Sequence, residues 1–202
     1  MAIIVAPLLL LASTAAYLSV GGGINDGVLG GTIGVWSCFA FAIAFVGILR
    51  LLEPSAPRIA PILTAVALMA FAGGGVAFNI QALNLGAFGN DFLETNLEGA
   101  DAVGIFAFLP WGLFVPLTFV LTGIMLWRTR TAARWSSALF IASGIMFVSA
   151  RPARIDVLAL TADAVIVLAL VPIGWAMLTS VRAAKAHQLK HDQVQVGADA
   201  EA

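Results

Sequence analysis

The chain has 202 residues, 61% of them hydrophobic and only 10% charged, with a mean hydropathy of +1.01. A soluble domain carries charge on roughly a quarter of its residues, so this composition excludes one and points to an integral membrane protein. Ten Lys and Arg against eleven Asp and Glu leave a net charge of -1, too little positive field for a nucleic-acid binder.

A span of the bilayer core takes about 20 apolar residues, so the length suits about six helices in one bundle. The first runs from Met1 to Val20 and stops at Gly21-Gly22-Gly23. A cleaved signal peptide competes with this reading, since Ala12-Ser-Thr-Ala-Ala16 offers small residues for cleavage. The absence of Lys or Arg before Arg50 favours a retained span. A loop over 21–31, with Asn25-Asp26-Gly27 as turn signal, precedes a second span over 32–52. Glu53-Pro-Ser-Ala-Pro-Arg58 is a short polar connection, its two prolines ending one helix and admitting the next.

The third span is expected from Ile59 or Pro61 to Gln81, with Gly73-Gly74-Gly75 allowing another backbone or a ligand to come close. Residues 82–101 read as the longest polar connection, carrying Asp91, Glu94, Glu98 and Asp101 without a basic residue, and possess enough apolar residues for a short amphipathic surface piece. Their spacing does not match a calcium loop. The fourth span covers 102–127, and Pro110 and Pro116 are expected to kink it. Arg128, Arg130 and Arg134 follow, between the interfacial anchors Trp127 and Trp135. The fifth span, 135–150, is short and rich in small residues; the sixth runs from about Ile155 to Val181. The bundle thus occupies 1–181, and 182–202 is expected to be a polar, weakly helical cytoplasmic tail, frayed at its end.

With six spans, the basic residues around Arg50 and Arg58, around Arg128 to Arg134, and in the tail all fall on one side. That side is expected to be the cytoplasm, with both termini in it, in a cell (plasma) membrane crossed several times. Arg151 and Arg154 disobey by falling outside, which suggests pairing with Asp156, Asp163 or the acidic loop.

The same topology places Ser13, Thr14, Tyr17, Ser37, Asn79, Gln81 and Asp163 in the outer halves of their spans. Asp163 lies two turns beyond Asp156, about 10 Å deeper, on a face whose other residues are apolar. A bare carboxylate there costs about 2.5 to 3.5 kcal/mol on insertion scales, so it needs a partner or a proton. Two readings stay open: a structural ion pair or hydrogen bond locking the fifth and sixth spans, or a ligand- or proton-handling group. The candidate binding set is Asp163, Arg151, Arg154, Tyr17, Asn79 and Gln81. Snorkelling makes the two arginines cheap near the interface, which favours structural anchoring over anion binding for them.

Other chemistries find no support. Cys38 is the single cysteine, so there is no internal disulfide and no Cys-x-x-Cys pair. Both histidines, His187 and His191, lie in the tail, four residues apart but without a third metal ligand. Both lysines are there too, so neither a bilayer haem nor a retinal Schiff base is expected. No phosphate loop, His-Glu-x-x-His or Gly-x-Ser-x-Gly motif occurs. No catalytic residue, metal or cofactor is assigned.

In the second half, Phe114-Val-Pro-Leu117, Gly123, Leu126-Trp-Arg-Thr129, Arg134-Trp135, Gly144, Arg151, Ala162-Asp163 and Gly174-Trp175 together resemble a loose class of uncharacterised multi-span membrane proteins of bacteria, notably actinobacteria. The resemblance implies six helices and a bacterial plasma membrane, and it brings no activity. Two functions are expected on the residues alone: binding or translocation of a small molecule through an outward-facing polar pocket near Asp163, or a non-catalytic subunit or scaffold packing on a membrane partner or on itself.

Overall fold

A computed structural model describes residues 1–89 and 101–200, without the side chains of 101–111, 181–187 and 189–200. Among the described residues the protein is all-α. We label the helices α1 (Ala2–Val20), α2 (Val28–Leu52), α3 (Ile59–Phe88), α4 (Asp101–Thr129), α5 (Arg134–Ala150) and α6 (Asp156–Ala200). Five of them are long and apolar enough to cross a membrane; α5, at 17 residues, is shorter. Each helix packs on its neighbours in the chain, and α1 packs on α6, so the six close into a ring in sequence order.

The outer surface of this ring is apolar. Trp36, Ile43, Ile62, Ile145 and Leu168 are each more than half exposed. Such a girdle is costly in water and matches hydrocarbon. The centre is filled by aromatic side chains converging from four helices: Phe41 and Phe45 of α2, Phe71 of α3, Phe119 of α4, and Phe140 of α5. Phe119 is the hub, with ring centroids 5.2 to 6.0 Å from those of Phe41, Phe45, Phe71, Phe140 and Phe147. Helices already in lipid gain little by hiding apolar surface from one another, so close packing and interhelical hydrogen bonds hold the seams. Buried serines supply several: Ser37 donates to the Ala6 carbonyl at 3.0 Å, Ser13 to that of Gly30 at 2.7 Å, and Ser136 to that of Ala169 at 2.6 Å.

Three departures from the sequence reading have local causes. First, α3 does not end at Gln81 but continues to Phe88, because Ala82 and Leu85 are buried against α2 and the Gly27 amide donates to the Ala82 carbonyl at 3.2 Å. Residues 82–88 are therefore helix, while Asp91, Glu94 and Glu98 lie outside the described residues. Second, α6 does not give way to a weakly helical tail at Val181 but runs on to Ala200. No Gly or Pro interrupts 175–196, and Ala, Lys, Gln and Leu there favour helix. Third, α3 is not regular along its length: Met69–Gly75 is a π-helical stretch ending in the triple glycine.

Candidate functional site

The sharp turns at one end of the ring build the site. Gly21 to Gly27 connect α1 to α2, with Asn25 at φ 64°, a left-handed conformation that asparagine tolerates. The turn of 151–155 connects α5 to α6, closed by the Ile155 amide on the Ala150 carbonyl at 2.9 Å. Asp156 ties the two turns together by accepting from the Ile24 amide at 3.3 Å. Asn25 reinforces them, donating to the Arg151 carbonyl at 3.3 Å while its own oxygen accepts from Arg151 Nη1 at 3.4 Å.

From this platform Arg151 reaches into the bundle. Its Nη2 donates to Asp163 Oδ2 at 2.9 Å and to Thr14 Oγ1 at 3.0 Å, and the Thr14 hydroxyl donates in turn to the same carboxylate oxygen. The Arg151 guanidinium also lies over the Phe147 ring, 4.7 Å from its centroid, an added cation–π attraction. Asp163 is fully buried and the Arg151 side chain 12% exposed. Arg151 and the buried acid thus neutralise each other, joining α1, α5 and α6. Asp163 Oδ1 and Arg151 Nε are buried with no hydrogen-bond partner.

A second polar group sits across the bundle. The Tyr17 hydroxyl donates to Asn79 Oδ1 at 3.1 Å, and Asn79 Nδ2 donates to the Gly75 carbonyl at 2.8 Å and to Cys38 Sγ at 3.4 Å. Glycines make room: a Cβ at Gly30 would collide with the Tyr17 ring, and one at Gly34 with the Asn79 amide. The buried Cys38 is thus a hydrogen-bond acceptor, and a Cβ at Gly75 would lie 2.7 Å from its sulfur.

Between the two groups lies a cavity of about 240 Å³. Its polar wall is Asn25, Arg151, Asn79 and Cys38; its apolar wall includes Phe41, Phe71, Phe119 and Phe147. Phe78, Leu113 and Val148, all well exposed, also border it. The π-helical stretch contributes Phe71 and Gly75 to the lining. Of the six candidate residues, Arg151 and Asn79 line this cavity, while Asp163 and Tyr17 are buried behind them as their partners. Gln81 and Arg154 are exposed and belong to neither polar group. Thr14 and Asn25, absent from the candidate set, belong to the ion-pair cluster. Thr14 shares an outer-half level with Asp163 and was legible to that extent; Asn25 read only as a turn residue.

Among the described residues, no three His, Cys, Asp or Glu side chains stand close enough together to hold a metal. No family model, no curated protein and no solved structure matches the chain.

Proposed function

We propose that the protein is a six-span protein of a bacterial plasma membrane, both termini cytoplasmic, that binds or translocates a small molecule in the cavity beside Arg151. The observation that carries this reading is the cavity itself. Tight packing is what holds helices together in lipid, and a void among large aromatic side chains forfeits those contacts. Its design, a mainly apolar wall with a few convergent polar groups, is that of small-molecule sites. A π-helical stretch in the lining supports the same reading, since such segments recur at functional sites. Asp163 then serves the site indirectly, by fixing Arg151.

The topology has its own test. Ser55 and Ala153 are exposed at opposite ends of the bundle, whereas the native Cys38 is buried. In intact cells a membrane-impermeant maleimide is expected to label Ala153→Cys but to reach Ser55→Cys only after permeabilisation; the opposite pattern would invert the orientation.

For the cavity, the probe is 2-phenylethanol and the readout saturation-transfer NMR on protein in lipid nanodiscs, with empty nanodiscs subtracted. Saturable binding is expected in the native protein. In Val115→Trp, whose indole fills space in the lining, it is expected to fall at least about tenfold, a loss of roughly 1.4 kcal/mol. Equal signals from both proteins would show that the cavity is not the site and leave the scaffold reading.

A further inference from the structure

Resting on that reading, we infer that the ligand is an uncharged, largely apolar molecule with a single hydrogen-bonding end, and that Asp163 sets this preference by cancelling the charge of Arg151. A lone arginine in an apolar cavity is an anion site, because a guanidinium in low dielectric attracts carboxylate or phosphate strongly. This arginine is not alone. Asp163 Oδ2 is 2.9 Å from its Nη2 and wholly buried, Thr14 bonds to both, and Phe147 stacks beneath the guanidinium. One carboxylate against one guanidinium leaves the polar wall with no net charge. An anionic ligand would have to enter beside a carboxylate that water does not screen, and like charges so placed repel.

The rest of the lining agrees. Asn79 spends both its amide groups on Tyr17, Gly75 and Cys38, and Asn25 spends both of its own on Arg151. Apart from Arg151, no charged side chain among the described residues lines the cavity. What remains is an aromatic chamber. An apolar cavity of about 150 Å³ takes up benzene, so this one has room for a substituted single ring or the end of an acyl chain. Its apolar body would lie among Phe41, Phe71 and Phe119, with the polar end toward Asn25 and Arg151.

The experiment compares 2-phenylethanol with phenylacetate, which share a ring and chain length and differ in charge, at pH 7.5 on the protein in nanodiscs of zwitterionic lipid. The native protein is expected to bind the alcohol at least about tenfold more tightly than the anion, the sense of the like-charge penalty. Asp163→Asn, which frees the positive charge of Arg151, is expected to reverse that order. Phenylacetate binding as tightly as the alcohol in the native protein would overturn the inference while leaving the cavity as the site. Failure of both probes to bind saturably would remove the cavity reading, and this inference with it. If Asp163→Asn does not assemble, the native-protein comparison decides the matter alone.

Discussion

Asp163→Asn is expected to lower the stability of the bundle by about 3 kcal/mol, the range for removing one partner of a buried ion pair. The amide keeps the shape and can still bond to Thr14, but Arg151 loses the countercharge at 2.9 Å and is left largely out of water. Removing both members is expected to cost less than removing either. Replacing a buried pair by apolar residues of similar volume is often neutral, because neither charge then needs desolvation. Arg151→Met with Asp163→Leu should therefore recover most of the loss, with a coupling of roughly 2 kcal/mol in a double-mutant cycle measured by reversible unfolding in mixed micelles. Additive losses would mean that the two charges do not depend on each other.

Phe119→Ala is expected to be the most damaging single truncation in the core, at about 3 to 5 kcal/mol. The ring is fully buried and meets five others, so its removal opens a void that four helices border. The loss is one of dispersion contacts more than of hydrophobic transfer, since the alternative environment is lipid. Phe119 also lines the cavity beside Arg151, so the truncation enlarges that cavity. Thermal unfolding in micelles should show the destabilisation, and a bulkier apolar probe, naphthalene ethanol, should restore part of it on binding. A truncation that leaves the midpoint unchanged would contradict the central role of this ring.

The composition made the helical bundle legible, and the Gly, Asn and Pro clusters at 21–27 and 53–58 marked two turns. The depth of Asp163 and the misplaced charge of Arg151 were both readable as anomalies. Their pairing follows once a short turn joins the helices that carry them, since twelve residues separate the two. What could not be read was rotation. Sequence spacing assigns a residue to a face of its own helix, but which faces meet depends on how small residues such as Gly30, Gly34 and Gly75 let neighbours approach. The 13 phenylalanines show no linear pattern that announces the central cluster. Asn25 looked like a turn former because it is one; its second role exists only with Arg151 folded against it. Gln81 shares the level of Asn79, and Arg154 the turn of Arg151, but both are exposed, because neither level nor a charge near a partner makes a residue face inward.

The most direct measurement is a crystal structure of the protein grown with 2-(4-bromophenyl)ethanol, in which the bromine is located by anomalous scattering. The expected result is a bromine peak among Phe41, Phe71 and Phe119, with the hydroxyl toward Asn25 and Arg151 and the Arg151 to Asp163 pair intact. Bromine found only on the lipid-facing surface, with the aromatic chamber closed, would contradict it.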